Sequence, residues 1–211
     1  MIKKNIWENA YNKFGEDLPW CIEEIPGWFK SVIKSKWVLP CKTLDLGCGV
    51  GNYASYLAGK DFDVTAIDIS RKAISIAKEK RQDKNLKFKV HNIFKLKDLK
   101  QKFDFIYEVS ILHNISPDKR EKYIKGIHSI LNKDGKLMVC SFSKDDLLFG
   151  GNEELYISDI DNTMYALSEN QIKKLFSGYF IIEKLEKVYF GRKNKRRRER
   201  LLCLMTKKDI K

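Results

Sequence analysis

The stretch from Leu44 to Tyr53, LDLGCGVGNY, constrains the fold of this chain more than any other part of it. Residues 41–44 before it are short and mostly apolar, as in a buried strand, and residues 52–58 after it place apolar side chains at helical spacing. Three glycines therefore lie between a strand and a helix, where the backbone can adopt dihedrals closed to other residues and a ligand can approach closely. The free N–H groups of the helix point at whatever fills that turn. The pattern predicts a nucleotide-type cofactor loop.

Two cofactors fit such a loop. Residues 49–54 match the G-x-G-x-x-G/A pattern of dinucleotide sites, but that register brings Asp45 close to the pyrophosphate, which a carboxylate repels. A carboxylate suits a cationic cofactor with a free amino group, such as S-adenosylmethionine (SAM). Asp68 ends the predicted second strand, seventeen residues beyond Gly51, and can accept both ribose hydroxyls of either cofactor. SAM is therefore favoured over NAD.

Two motifs carry a resemblance to a known family. Residues 45–51, DLGCGVG, resemble the first signature of the class I SAM-dependent methyltransferases, and residues 64–70, VTAIDIS, are similar to the second. The resemblance runs from about Tyr11 to the C-terminus. It implies an α/β fold with a single Rossmann-like sheet of seven mostly parallel strands. It also implies that the following residues contact the cofactor: Asp45, Gly47, Gly49, Asp68 and Ile69.

The same resemblance suggests roles further along the chain. Asn92 and Ile93 follow the predicted third strand, where family members bind the adenine amino group and a ring nitrogen; the alternative for Asn92 is an ordinary turn residue. Glu108, at the end of the fourth strand, is expected to hold the methionine part of the cofactor or to favour a cationic group. His113 is the candidate general base. Family members often have a His-His pair where this chain has His113-Asn114, so a positioning role is favoured over that of a base.

Residues 1–38 are predicted to form a helical cap on a core of residues 39–211, together one methyltransferase domain. Residues 14–20, FGEDLPW, and the Ile-Pro-Gly-Trp that follows at 25–28 resemble the entry region of the thiopurine, thiol, halide and tellurite methyltransferases, in which a Pro-Trp pair lies against SAM. Tyr11 and Trp20 are therefore candidates for cofactor cover. The alternative is that both only pack the cap onto the core.

The rest of the sequence predicts a long loop, a C-terminal hairpin, and the other helices and strands of the fold. Residues 144–165 are polar and contain two adjacent glycines, which predicts a long loop acting as a lid. Residues 180–190 and 201–207 predict a C-terminal antiparallel hairpin, which distinguishes this superfamily from the dinucleotide fold. Helices are predicted at 5–14, 27–36, 70–81, 116–131 and 168–176, and further strands at 62–67, 86–90, 103–107 and 136–142.

The charge distribution and the cysteine spacing indicate which kinds of partner and compartment to expect. The net charge is +13, spread mostly over single lysines, but residues 192–200 hold seven Arg or Lys and one Glu. That run predicts a solvated loop; RNA or DNA binding and an acidic small substrate are the alternatives. The sequence has no membrane-spanning run, signal peptide, C-x-x-C pair or predicted metal site, so a reduced, cytoplasmic protein is expected, as a monomer or weak dimer.

These patterns together predict an enzyme that transfers the methyl group of SAM to a small molecule, to sulfur or nitrogen ahead of oxygen. The alternatives are an RNA or protein methyltransferase that uses the basic run, and a SAM-binding module without catalysis.

Overall fold

A computed structural model describes residues 4–22, 24–190 and 198–210. The helices within these ranges are α1 Lys4–Phe14, α2 Gly27–Lys34, α3 Asn52–Ala58, α4 Arg71–Lys80, α5 Pro117–Ile130 and α6 Glu169–Phe176. The strands are β1 Lys42–Leu46, β2 Asp63–Asp68, β3 Leu86–Val90, β4 Phe103–Val109, β5 Leu131–Phe142, β6 Glu154–Ile157, β7 Asn162–Tyr165, β8 Phe180–Phe190 and β9 Arg198–Lys207. A 3-10 turn covers Leu112–Asn114, directly after β4.

Seven strands form one sheet in the order β3-β2-β1-β4-β5-β9-β8. The first five are parallel to their neighbours, and β9 runs antiparallel to both β5 and β8. The predicted Rossmann-like fold with its C-terminal hairpin is confirmed. The strand order reverses between β1 and β4, and open parallel sheets bind ligands beyond the strand ends at such a point.

Apolar layers cover both faces of the sheet because successive strand residues point to opposite sides. Leu44 and Leu46 of β1 pack in the layer with α5 and α6. The layer on the opposite face includes Phe29 of α2, Leu57 of α3 and Tyr107 of β4. The polar residues of β1 therefore project toward α2 and α3, which gives that side of the sheet its chemistry.

Local signals predicted two helix starts correctly. The Ser70 hydroxyl accepts from the Ala73 N–H at 3.1 Å and caps α4. Ser168 and Gln171 form the predicted capping box at the start of α6.

Strand β5 begins five residues earlier than predicted. Leu131 pairs with Phe103, and the ladder then shifts before Lys136 pairs with Phe105. The Asn132 side chain donates to Asp104 at 2.6 Å, which helps to hold this irregular segment against the sheet. Strand β9 likewise starts at Arg198 rather than at residue 201.

Residues 144–165 do not form the predicted plain loop. They contain an antiparallel ribbon in which β6 pairs with β7. The Asn162 side chain donates to the Asn114 side chain at 2.8 Å, so the ribbon is attached to the 3-10 turn after β4. The predicted division into cap and core, and the lid role, stay predictions.

Across the described ranges, no helix combines the length and the apolar character that crossing a membrane requires. Those same residues contain no cluster of His, Cys, Asp or Glu suited to a metal ion. All five cysteines are free thiols.

Candidate cofactor and acceptor site

The glycine loop lies at the end of β1 and needs its glycines. Gly47, Gly49 and Gly51 have φ angles of +69°, +53° and +83°, a region that other residues rarely adopt. A Cβ on Gly47 would overlap the Ile111 side chain, and one on Gly49 would lie 2.6 Å from the Tyr11 hydroxyl. The loop is therefore a close-approach surface next to the N-terminal cap.

Asp68, at the end of β2, ties this loop to α4. One carboxylate oxygen accepts from the Gly49 N–H at 2.9 Å and the other from the Ser70 N–H at 2.8 Å. Burial raises the pKa of this carboxyl, and the backbone N–H groups partly offset the effect. Each carboxylate oxygen can accept more than one hydrogen bond, so Asp68 can also receive ribose hydroxyls. Ile69 follows it, half-buried.

Two buried carboxyl groups lie near the carboxyl ends of β1 and β4, on opposite faces of the sheet. Asp45 pairs in register with Tyr107, and the next pair is Leu46 with Glu108. Asp45 Oδ2 and Glu108 Oε1 are buried without a hydrogen-bond partner among the described residues, whereas Glu108 Oε2 accepts from the Ile111 N–H at 2.7 Å. Burial raises the pKa of Asp45 to about 7 and that of Glu108 to about 8. A hydrogen-bond donor or a cationic group would satisfy these two oxygens.

Tyr11 and Trp20 lie together over the glycine loop. The Trp20 indole donates to the Tyr11 hydroxyl at 3.0 Å, and the two rings meet edge to face. Tyr11 is buried and Trp20 is half-buried. Their position next to Gly49 agrees with a role in cofactor cover, and they also pack the cap.

Asn92 and Ile93 follow β3, beside the Asp68 strand. The Asn92 side chain accepts from the Phe94 N–H at 2.9 Å, which is the turn role considered as its alternative. Ile93 is buried. The assignment of these two residues to adenine stays a prediction.

His113 is buried in the 3-10 turn and contacts the Phe142 ring edge to face at a centroid distance of 4.7 Å. Burial lowers its pKa well below the usual value, and the positive charges of Arg200 and Arg120 lower it further. The Phe142 N–H points at Nδ1 over 3.4 Å, and the Ser141 hydroxyl lies at the same distance from that atom. A buried imidazole with a lowered pKa is a weak base, which favours the positioning role over the base.

Sequence reasoning missed three residues of this region. Tyr107 places its hydroxyl near Asp45 and lowers the pKa of that carboxyl. Tyr53, in the first turn of α3, is half-buried with a buried hydroxyl. Arg200 is buried, although the sequence suggested only a member of a basic run. The sequence signal for this burial was the spacing: Arg200, Leu202 and Leu204 are every second residue of a strand, so their side chains point to the same face.

The basic run itself is only partly described, because residues 192–197 lie outside the described ranges. Arg198 forms an ion pair with Asp146 at 3.5 Å. Arg198 is therefore a paired but partly exposed cation, whereas Arg200 is buried.

The fold and the site define a class I methyltransferase. A family model described as a methyltransferase domain matches residues 40–199. The chain belongs to this family, and the predicted enzyme class and its cofactor, SAM, are confirmed. An uncharacterized methyltransferase of Schizosaccharomyces pombe is 30% identical over 136 residues, which are 63% of this chain and 90% of that protein. A probable SAM-dependent methyltransferase of Haemophilus influenzae, TehB, is 29% identical over 54% of this chain and 40% of its own length.

Solved structures show the same fold. A SAM-dependent methyltransferase from Anabaena variabilis superposes with a TM-score of 0.81 at 15% identity, covering 97% of this chain and 95% of that one. A Burkholderia thailandensis 1,6-didemethyltoxoflavin-N1-methyltransferase, crystallised with 1,6-didemethyltoxoflavin and S-adenosylhomocysteine, gives 0.78 at 21% identity over 99% and 88% of the two chains.

Proposed function

We propose that this enzyme methylates a small molecule, on sulfur or nitrogen ahead of oxygen. The observation that carries the proposal is the closed cap. The Tyr11 hydroxyl lies against Gly49, and the Ser70 hydroxyl donates to Glu8 of α1 at 2.7 Å. The N-terminal helix thus lies against the cofactor loop, which supports an acceptor small enough to enter beside it rather than a folded partner.

The residues present fit SAM. Asp45 and Glu108 supply unpartnered carboxylate oxygens for positive charge, and Asp68 supplies acceptors for ribose. When bound, SAM supplies a methyl carbon on a sulfonium sulfur: the acceptor lone pair forms the new bond, the carbon–sulfur bond breaks to a neutral thioether, and a proton on the acceptor leaves to water. The chain's own contribution is to orient both partners and exclude water, because a displacement of this kind depends on alignment.

Two relatives support a small acceptor. The Burkholderia thailandensis neighbour acts on 1,6-didemethyltoxoflavin, and a further curated relative from Pelagibacter ubique is a ubiquinone biosynthesis O-methyltransferase, 31% identical over 55% of this chain and 48% of its own length. The RNA alternative rests on the basic run. The burial of Arg200 removes one of its cations from the set available to phosphates, and Arg198 is already paired with Asp146.

An acceptor panel tests the proposal. The purified enzyme is incubated with SAM and, in separate reactions, with aromatic thiols, N-heterocycles, phenols, total RNA and a mixed protein extract, and methylated products are identified by mass spectrometry. We expect turnover of a thiol or heterocycle that is lost in Asp45→Asn. Methylation of RNA or protein alone would overturn the small-acceptor proposal, and SAM binding without turnover of any acceptor would favour the non-catalytic module.

A further inference from the structure

Arg200, the third residue of β9, is a buried cation that forms no ion pair with a carboxylate in the described part of the chain. The residue is 7% exposed, and its Nε and Nη1 groups have no hydrogen-bond partner among the described residues. Burial lowers the pKa of the guanidinium to about 9. Proteins rarely bury an unpaired charge, because desolvation strongly destabilises it.

Neighbouring groups offset only part of this deficit. The negative charge of Asp146 acts on Arg200 and raises its pKa, against the effect of burial, but forms no ion pair with it. That carboxylate pairs with Arg198 and accepts from the Leu148 and Glu199 N–H groups. Residues 191–197, GRKNKRR, contain no Asp or Glu. The Arg200 guanidinium lies over the Phe142 ring, a contact that offsets only part of the lost hydration.

Two further buried donors lack partners near Arg200. They are the Tyr53 hydroxyl and the Trp28 indole N–H, neither of which has a hydrogen-bond partner among the described residues. The Phe190 ring connects Trp28, at a centroid distance of 5.4 Å, with the Arg200 guanidinium, at 5.2 Å. The Phe29 ring connects Trp28 with Tyr53, at centroid distances of 5.6 and 4.8 Å. We call Trp28, Tyr53 and Arg200 the donor cluster.

The donor cluster adjoins the cofactor site. Tyr53 belongs to the helix that starts at the glycine loop, and the charges of Asp45 and Arg200 both act on its hydroxyl. Arg200 pairs in register with Phe142 at the end of β5, and that ring also contacts His113. The cluster therefore lies between Asp45, the carboxylate residue predicted to contact the cofactor, and the end of β5.

We propose that the donor cluster binds the carboxylate of the methyl acceptor, so the acceptor is an aromatic acid. The donors of the cluster have no acceptors, and an ionised carboxylate only accepts hydrogen bonds. A guanidinium can bind both carboxylate oxygens through two parallel N–H···O hydrogen bonds, a two-point geometry. The aromatic rings around the cluster suit a flat ligand. This inference rests on the proposed function, since it assigns the acceptor of that same site.

Matched acids and amides test it. Wild type saturated with S-adenosylhomocysteine is titrated by calorimetry with benzoate, phenylacetate, indole-3-acetate and 4-mercaptobenzoate, and with the neutral amide of each. At least one acid should bind more tightly than its amide by about tenfold or more, and Arg200→Gln should weaken that acid by roughly 10- to 100-fold, as expected for hydrogen bonds to a charged group. The same variant should leave the amide unchanged. Absence of any preference for an acid in wild type would overturn the inference.

Two controls separate the remaining outcomes. Arg198→Gln removes a paired cation from the same strand and should keep the acid preference. Loss of S-adenosylhomocysteine affinity in Arg200→Gln would assign the cluster to the cofactor's own carboxylate and overturn the acceptor assignment. Failure of wild type to bind S-adenosylhomocysteine would count against the proposed function itself.

Thermal unfolding separates a binding role from a structural one. If the cluster awaits a ligand, the Tm of unliganded Arg200→Gln should equal or exceed that of wild type, because an unpaired buried charge is removed. A lower Tm combined with unchanged acid affinity would overturn the inference. Should Arg200→Gln not fold, Arg200→Lys provides the test: it keeps the charge but loses two-point geometry, and acid affinity should fall while amide affinity is kept.

Discussion

Two single residues, Asp45 and Glu108, make the stability of the unliganded protein depend on pH. Their folded-state pKa values are about 7 and about 8, above the ordinary values of these groups, so the folded state binds more protons than the unfolded state at intermediate pH. Their contribution to stability is complete in acid and is lost as pH rises through about 7 to 8. We expect the unfolding free energy to fall by up to roughly 1.4 kcal/mol per pH unit for each group.

Urea unfolding at pH 5, 6, 7 and 8 measures this slope. Asp45→Asn should flatten it, whereas Asp63→Asn, which changes an exposed carboxylate at the start of β2, should leave it as in wild type. Equal slopes in wild type and Asp45→Asn would show that Asp45 ionises normally in the folded protein. Saturating S-adenosylhomocysteine should also flatten the slope, because its amino group stabilises the charged carboxylates.

Asp68 is predicted to bind ribose, and it also accepts hydrogen bonds from the backbone of the glycine loop and of Ser70. Asp68→Ala should weaken SAM binding by roughly 1.5–3 kcal/mol, the value of hydrogen bonds to a charged group. It should also lower the Tm, because the Gly49 and Ser70 N–H groups lose their acceptor. Asp68→Asn keeps one acceptor oxygen and should lose less of both. Calorimetry that gives an unchanged SAM affinity for Asp68→Ala would remove Asp68 from the site.

At the scale of elements, the β6–β7 ribbon is the part most suited to move on binding. A side-chain hydrogen bond from Asn162 to Asn114 attaches it to the turn that carries His113. We expect hydrogen exchange in residues 144–165 and 4–20 to slow when SAM and an acceptor bind, since lids and caps close over ligands.

Asn162→Ala should speed exchange in the ribbon of the unliganded protein and reduce the protection gained on binding. Ser168→Ala, which removes the capping hydroxyl of α6 outside the ribbon, is the matched control and should affect α6 alone. Identical protection with and without ligands in both segments would contradict a gating role.

Local chemistry explains which elements the sequence predicted. Capping residues such as Ser70 and Ser168 act within one turn, so the pattern around them was sufficient. The early start of β5 depends on Leu131 pairing with Phe103, a contact between distant segments that no local signal encodes. The ribbon strands contain four residues each and no buried residue, too short and too exposed for periodicity to reveal.

The site residues also differ in whether a local sequence pattern marks them. Asp45, Gly49 and Asp68 lie in motifs, and their predicted roles follow from their positions relative to strand ends. Glu108 was predicted from its place at the end of β4. Arg200 was missed because charge runs usually lie in solvent, and its alternation with Leu202 and Leu204 is a weak signal until the pairing of β9 with β5 places its side chain in the interior.

The whole molecule carries a net charge of +13, which makes a test against RNA necessary. We expect Arg196, Arg197 and Arg198 replaced together by Ser to leave turnover of a small acceptor nearly unchanged. If RNA were the acceptor, the same change would weaken binding to all sequences. It would also lower the salt slope by roughly 0.7–0.9 for each phosphate that the protein no longer neutralises.

Filter binding of total RNA at several salt concentrations compares wild type with the triple variant. Because Arg198 pairs with Asp146, the single variant Arg198→Ser is the control for a structural effect on the hairpin. Steep salt dependence that disappears only in the triple variant would overturn the small-molecule proposal, whereas weak binding by both proteins supports it.

The hydrogen bond between Ser70 and Glu8 has a consequence for the time course of turnover. Ser70 donates to Asp68 through its backbone N–H and to Glu8 of α1 through its hydroxyl, so one residue connects the predicted ribose carboxylate with the N-terminal helix. We expect the spent cofactor to leave only when α1 detaches from the start of α4. If that step is slower than the methyl displacement, product dwell time sets the number of cycles per second, and the acceptor that reacts fastest is then not distinguished by its turnover.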